Sequence, residues 1–89
     1  MTGSFASEEI VTALKAAAEP TRLRILLLLA SGELNVKDLT QILGQSQPLT
    51  SRHLTLLVEA GLVRRTATRA WPFYRLARPH PSPAVTRSL

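Results

Sequence analysis

Residues 45–63 of the chain form the sequence QSQPLTSRHLTLLVEAGLV, which carries the signals of a complete helix. Ser46 can cap the start of the helix, because its hydroxyl can accept a hydrogen bond from an unpaired amide of the first turn. Pro48 follows just inside, where its missing N–H costs no hydrogen bond, and Gly61 can adopt the left-handed conformation that ends a helix. This stretch therefore predicts a helix over residues 47–60 with both ends defined.

The predicted helix has an apolar face and a polar face. Helical spacing predicts a buried face made of Thr50, Leu54, Leu57, Val58 and Gly61. The opposite face consists of Pro48, Arg52, Thr55 and Glu59, with Gln47 and Ser51 beside it at the N-terminal end. Amide, hydroxyl and guanidinium groups at this end of a helix can contact base edges or phosphates in a major groove. An ordinary solvated helix face has a similar composition, so the face alone leaves both interpretations open.

Charge along the chain favours a nucleic-acid partner. The 89 residues suffice for one small domain with a net charge of +5. In residues 52–89 the only acidic residue is Glu59, and every basic residue is an arginine: Arg52, Arg64, Arg65, Arg69, Arg75, Arg78 and Arg87. Arginine is well suited to phosphate and guanine recognition. A membrane surface would also attract this charge, but no long amphipathic helix accompanies it. Nucleic acid is therefore the better partner, and the polar face of the helix over 47–60 has the chemistry to bind double-stranded DNA.

Several classes of protein are disfavoured by what the sequence lacks. There is no cysteine, which excludes disulfides and thiolate metal sites. The longest apolar run, Ile25 to Ala30, is too short to span a membrane, and the first residues do not resemble a secretory signal, so a cytoplasmic protein is expected. No phosphate-binding glycine loop, histidine-centred triad or paired acidic site is recognisable, which argues against an enzyme.

The first part of the chain predicts a flexible leader over residues 1–7 and then two helices. The first helix is expected to start at Ser7, followed by the acidic pair Glu8 and Glu9. Its apolar residues are Ile10, Val11, Leu14, Ala17 and Ala18, which either pack in the core or form a subunit interface. The second helix is expected to run from Pro20 to Ser31-Gly32. It is apolar nearly all round after Arg24, which predicts a central, buried helix. For Arg22 and Arg24, salt bridges to Glu19 or a capping role are favoured over DNA contact.

A third helix and a hairpin complete the predicted domain, which spans residues 8–78. Asn35 can cap a helix from Val36 to Leu43, with Leu39, Ile42 and Leu43 facing inward. Gly44 ends this helix, and the turn into the helix over 47–60 makes a helix-turn-helix. Strands are predicted over Leu62 to Thr68 and Trp71 to Leu76, with Tyr74 inward, Trp71 packed at the base of the hairpin and the second strand starting at Pro72. The Pro-rich tail, residues 79–89, is expected to be disordered. The expected fold is mainly α with a small β-hairpin wing, a winged helix-turn-helix.

Three motifs in order give the chain a family resemblance. They are Glu19-Pro20-Thr21-Arg22-Leu23-Arg24-Ile25-Leu26, then Ser51-Arg52-His53-Leu54 with Gly61-Leu62-Val63, and finally Tyr74-Arg75-Leu76. With these, residues 8 to 78 resemble the ArsR/SmtB family of bacterial winged-helix transcriptional repressors. The resemblance implies a homodimer that binds two-fold operator DNA and releases it when an effector, often a metal ion, binds. It implies recognition-helix contacts by Gln47, Ser51 and Arg52, and wing contacts by Arg65 and Arg69.

Thr55 on the polar face and Arg64 in the hairpin complete the predicted set of DNA-binding residues. For His53, a structural role is favoured over base recognition, because a lone histidine on a half-buried face is usually satisfied locally. The chain departs from the resembled family at three places. The helix over 36–43 lacks the cysteines of metal-sensing members, the Pro-rich tail replaces their C-terminal helix, and the wing lacks the usual glycine. We therefore expect no metal or other cofactor, and a homodimer weakened by the missing helix.

Two functions from different classes follow. The favoured one is a sequence-specific DNA-binding repressor, with the helix over 47–60 in the major groove and the Arg-rich wing on the backbone. The alternative is a winged helix used for protein–protein interaction, or a truncated fragment of a longer regulator, since some relatives carry a methyltransferase domain after the winged helix.

Overall fold

The computed structural model describes residues 2–66 and 71–77, and it contains four helices and three short strands within those residues. In chain order they are α1 (Thr2–Ala17), α2 (Pro20–Leu29), β1 (Leu34–Asn35), α3 (Val36–Leu43), α4 (Gln47–Glu59), β2 (Val63–Thr66) and β3 (Phe73–Leu76). The expected class, a mainly α winged helix-turn-helix with a small hairpin, is confirmed.

The helix-turn-helix forms where its local signals placed it. The Asn35 side chain accepts a hydrogen bond from the Asp38 amide at 2.7 Å, which caps α3. Gly44 follows α3 with φ of 67°, in the left-handed region where a residue with a side chain would be strained. The predicted bounds of α3 are confirmed, and α4 ends at Glu59 with Ala60 as its C-cap.

The hairpin is part of a three-stranded antiparallel sheet with the strand order β1-β3-β2. β2 and β3 pair from Val63 opposite Leu76 to Thr66 opposite Phe73, within the predicted strands. Residues 67 and 68 of the first predicted strand, and the turn residues 69 and 70, lie outside the described residues. β3 starts at Phe73, one residue after the predicted start at Pro72, which lacks the N–H that a strand residue donates. The Pro72 carbonyl accepts from the Val36 amide at 3.3 Å.

The core lies between α2, α3, α4 and the inner face of the sheet. Its buried apolar residues are Ile25, Leu29, Val36, Leu39, Leu43, Leu54, Leu57, Val63 and Tyr74. Buried Thr50 is compatible with this core because its hydroxyl donates to the Ser46 carbonyl at 2.9 Å. The buried face predicted for α4 is thus confirmed at Thr50, Leu54 and Leu57, whereas Val58 is half-buried and Gly61 is exposed.

Three predictions about the N-terminal half are wrong. α1 already begins at Thr2, before the predicted start at Ser7, so part of the expected leader is helical; no proline interrupts that segment. α2 ends at Leu29 and is not buried all round, since Leu27 is 64% exposed. Within residues 2–66 and 71–77, α2 packs against α1, α4 and β3 on one side, while Leu23 and Leu27 on its other side are exposed.

Two further side chains expected to pack inward are also exposed. Ile42 lies on the flank of α3 beside the strip that meets the core, and it is 46% exposed. Trp71, predicted to pack at the base of the wing, precedes β3, is 44% exposed and lies outside the core cluster. The predicted disordered tail, residues 79–89, lies outside the described residues.

Candidate nucleic-acid interface

The N-terminus of α4 is held in a defined geometry by its own sequence. The Leu49 amide donates to the Ser46 hydroxyl at 3.3 Å, and the Thr50 amide donates to the Ser46 carbonyl at 3.0 Å. Ser46 has the extended backbone of an N-cap, and a proline lies within the first two positions of the helix. The predicted cap is confirmed, so residues of this segment themselves define the first turn of α4.

The other end of α4 is equally well defined. The Leu62 amide donates to the Leu57 carbonyl and the Gly61 amide donates to the Val58 carbonyl, both at 3.0 Å. These two bonds make a Schellman motif, in which Gly61 takes the left-handed position with φ of 80°. The motif turns the chain directly into β2, which fixes the wing relative to α4.

The predicted polar face of α4 is on the surface. Pro48, Arg52, Thr55 and Glu59 are all exposed, as is Gln47 at the first turn, while Ser51 is half-buried. Amide, hydroxyl and guanidinium groups therefore lie along one side of α4, towards the end where its backbone amides give a positive potential. This arrangement can meet base edges and phosphates together.

The arginines of the wing project from the strands that follow. Arg64 and Arg65 on β2 are exposed, and Arg64 lies directly opposite Arg75 of β3. Like charges directly opposite each other on a sheet destabilise it, so the fold gains nothing from this pair. A bound phosphate would relieve the repulsion. Arg69, the remaining predicted wing contact, lies outside the described residues.

His53 lies on the buried side of α4, away from the polar face. It is 8% exposed, and its Nδ1 is 3.3 Å from Nη1 of Arg22. The structural role favoured for His53 therefore agrees with its position. Of the two roles predicted for Arg22, no side-chain ion pair with Glu19 is found within the described residues, whereas a capping role is: its Nε donates to the Ala16 carbonyl at 2.5 Å in the last turn of α1. No local sequence signal indicates these partners, because the residues lie on different helices.

Glu19 has a separate structural role at the start of α2. Its carboxylate accepts from the Arg22 amide at 2.9 Å and caps the helix. This hydrogen bond is the main cause that lowers the pKa of Glu19, against a smaller opposing effect of burial. The start of α2 is thus fixed beside the contact between Arg22 and His53.

The sequence over the helix-turn-helix matches a known family. The model described as "Bacterial regulatory protein, arsR family" matches residues 19–65, from the cap of α2 into β2. The chain belongs to the arsR family. Among its arsR-family relatives, the arsenical resistance operon repressor of Escherichia coli strain K12 is 52% identical over 67 residues. This match covers 74% of the chain and 56% of the relative.

Other comparisons agree with this assignment. The biofilm growth-associated repressor of Xylella fastidiosa strain Temecula1 is 36% identical over 70 residues, which cover 79% of the chain and 61% of the relative. The chain spans about half the length of the first curated relatives it matches.

Solved structures in the comparison have the same fold. Reduced HlyU from Vibrio cholerae N16961 aligns with a TM-score of 0.77 and 34% identity, covering 98% of this chain and 87% of that one. The homodimeric winged helix-turn-helix DNA-binding domain (fragment 1–100) of Mb0332 from Mycobacterium bovis aligns with a TM-score of 0.78 and 29% identity. That alignment covers 96% of this chain and 75% of the other.

Across residues 2–66 and 71–77, no group of three or more histidine, cysteine or acidic residues is placed to hold a metal ion. None of the helices described is long and apolar enough to cross a membrane.

Proposed function

We propose that this protein is a sequence-specific DNA-binding transcriptional repressor. The observation that carries the proposal is the exposed polar face of α4, which is capped, rigidly joined to the wing and followed by exposed arginines. In this arrangement α4 enters the major groove and the wing lies on the backbone, the geometry by which helix-turn-helix proteins bind a duplex.

The residues of this interface have two kinds of role. Base-edge contacts are assigned to the α4 residues Gln47, Ser51, Arg52 and Thr55, whose side chains offer amide, guanidinium and hydroxyl groups. Backbone contacts are assigned to the wing residues Arg64, Arg65 and Arg69, because phosphate binding by arginine positions a protein without depending on sequence.

The proposed repressor is a homodimer that uses the outer face of α1. Ile10, Val11 and Leu14 are exposed there, whereas the smaller Ala13 and Ala16 lie on the inner side. Large apolar side chains on an exposed helix face indicate a surface that a partner covers. A second copy is the partner proposed, and the Mycobacterium bovis homodimer is a precedent with the same fold. A cytoplasmic location belongs to the proposal, since the target is genomic DNA.

The alternative of a protein–protein interaction module is not favoured, because the relatives include proteins named as repressors. No enzymatic activity is proposed either, since the matched family consists of regulatory proteins.

The salt dependence of DNA binding tests the proposal. A duplex selected from a random pool is titrated with the protein by fluorescence anisotropy between about 50 and 200 mM salt, the range in which phosphate contacts weaken steeply. If about five phosphates are neutralised, log K falls with log[salt] at a slope near −4 to −5. A scrambled duplex of equal length is the control and should bind more weakly at every salt concentration. No binding at the lowest salt, or equal affinity for both duplexes, would contradict a sequence-specific repressor.

A further inference from the structure

One side chain joins three helices behind the proposed DNA-binding face. Arg22 lies in the first turn of α2, and its side chain is half-buried. Its Nε donates to the Ala16 carbonyl in the last turn of α1, and its Nη1 contacts Nδ1 of His53 in the middle of α4. The Arg22 side chain therefore connects α1, α2 and α4.

The donors and acceptors of this contact are matched. A guanidinium only donates hydrogen bonds, so His53 accepts at Nδ1 and carries its ring proton on Nε2. The Ala16 carbonyl is among the last carbonyls of α1, which lack partners within a helix, and the Arg22 Nε–H supplies one. Because the guanidinium is planar and rigid, its two bonds fix the direction from α1 to α4.

A second contact from α2 reaches the same part of the molecule. Gln45, in the turn before α4, donates from Nε2 to the Thr21 hydroxyl at 3.3 Å. Thr21 and Arg22 are adjacent in the first turn of α2, and the Glu19 cap bonds the Arg22 amide. The start of α2 thus contacts both the turn before α4 and the middle of α4.

We infer that Arg22 is a positioning residue that sets the rotation of α4 about its own axis. Recognition of the base sequence by α4 depends on this rotation. This inference rests on the proposed binding of DNA by α4. Successive residues are separated by about 100° around a helix. The bond to His53 therefore fixes the direction in which the adjacent Arg52 projects.

The two kinds of DNA contact should respond differently to a loss of this bond. Base-edge contacts need a defined geometry, so a small rotation of α4 weakens them. Phosphate contacts by long arginine side chains tolerate such a rotation, because they depend mainly on charge. Loss of the Arg22 bond is thus expected to lower specific affinity while nonspecific affinity stays nearly constant.

The test compares Arg22→Ala with Arg24→Ala, the same change at an exposed position of the same helix. The full 89-residue chain is used for each variant, and alanine favours the helix at both positions. Dissociation constants are measured for the selected duplex and for the scrambled duplex. For Arg22→Ala the ratio of the two affinities should fall by about tenfold or more, the loss expected for one good base contact. For Arg24→Ala the ratio should stay within about twofold of the wild-type value, since nothing in the proposal depends on that residue.

A merely structural role gives a different result. If Arg22 only stabilised the fold, Arg22→Ala would reduce the active fraction and lower the apparent affinity for both duplexes equally. The ratio of the two affinities would then be unchanged, and an unchanged ratio would overturn the inference. A wild-type chain that binds neither duplex would instead refute the proposed function, so the two failures are distinguishable.

Substitutions at His53 test the same bond from α4, including the case in which Arg22→Ala does not fold. His53→Asn keeps an oxygen acceptor near the position of Nδ1, whereas His53→Leu keeps the bulk and removes the acceptor. We expect His53→Asn to retain most of the ratio of the affinities for the selected and the scrambled duplex. For His53→Leu this ratio should fall as far as it does for Arg22→Ala. Equal ratios for His53→Asn and His53→Leu would overturn the inference.

Discussion

α1 and α4 both carry apolar residues at helical spacing, but those of α4 lie in the core whereas those of α1 lie on the surface. Leu54 and Leu57 of α4 are fully buried in the core of the chain. On α1, Ile10 and Leu14 face outward at 56% and 64% exposure, and alanines lie on its inner side. The difference shows that an apolar stripe identifies a face to be buried without saying against what. In α4 the stripe stabilises the monomer, and in α1 it is available to a second chain.

The largest expected effect concerns the buried stripe of α4. Leu57→Ala should lower the free energy of unfolding by about 2–5 kcal/mol, because it removes buried methyl groups and leaves a cavity. Leu49→Ala, the same change at an exposed position of α4, is the matched control and should cost under about 1 kcal/mol. Urea unfolding measures both. Equal losses would mean that α4 is not packed as described.

The exposed stripe of α1 gives the next effect, on association instead of folding. Leu14→Ala should raise the dissociation constant of the homodimer about tenfold or more, because a symmetric interface contains each residue twice and burial of a leucine contributes about 1.5–3 kcal/mol. Sedimentation equilibrium over a concentration series measures this change, with Lys15→Ala as the control on the same helix. The proposed role of α1 would be contradicted if the wild-type chain stayed monomeric. It would also be contradicted if Leu14→Ala left the dissociation constant of the homodimer unchanged.

A smaller effect is expected at the start of α4. Ser46→Ala should reduce stability by about 0.5–2 kcal/mol, since the Leu49 amide loses its hydrogen-bond acceptor. Ser46→Asn provides another good cap and should retain most of the stability. Thermal unfolding of the two variants measures the difference. If both lost the same stability, the hydrogen bond to Leu49 would not be the cause.

The smallest effect is a pH dependence at Glu19. The Arg22 amide donates to the Glu19 carboxylate and lowers its pKa in the folded protein. A lowered pKa contributes stability above the pKa of the unfolded chain, and this contribution is lost as the pH falls through the folded-state pKa. Glu19→Gln should therefore be less stable than wild type at neutral pH, with a difference that disappears in acid.

Urea unfolding across pH measures the Glu19 effect. Glu33→Gln, at an exposed position, corrects for the change in net charge. A difference between wild type and Glu19→Gln that grows as the pH falls would contradict the assigned sign.

Prediction from the sequence succeeded where the determinants are local. The bounds of α3 follow from Asn35 and Gly44, and the start of α4 follows from Ser46 and its neighbouring proline. Each of these residues acts through hydrogen bonds or backbone conformation within a few positions. Its capping role can therefore be predicted from the neighbouring residues in the sequence. The polar face of α4 was predictable from the helical spacing of its polar residues.

Features that depend on distant parts of the chain were not predictable in this way. β1 has only two residues and exists because Leu34 and Asn35 pair with Tyr74 and Phe73. The bond between Arg22 and His53 likewise joins residues on two helices that are distant in sequence. Which side of α1 faces the core also depends on α2 and α4, and an amphipathic pattern does not contain that information.

The central claim is that the exposed face of α4 recognises DNA sequence, and substitution of Arg52 tests it most directly. Dissociation constants of wild type and Arg52→Ala are measured for the selected and the scrambled duplex at one salt concentration. We expect Arg52→Ala to lose about 1–3 kcal/mol of binding free energy on the selected duplex, with relaxed preference at one base pair and a much smaller loss on the scrambled duplex. Equal losses on both duplexes would assign Arg52 to phosphates and would contradict base recognition by this residue.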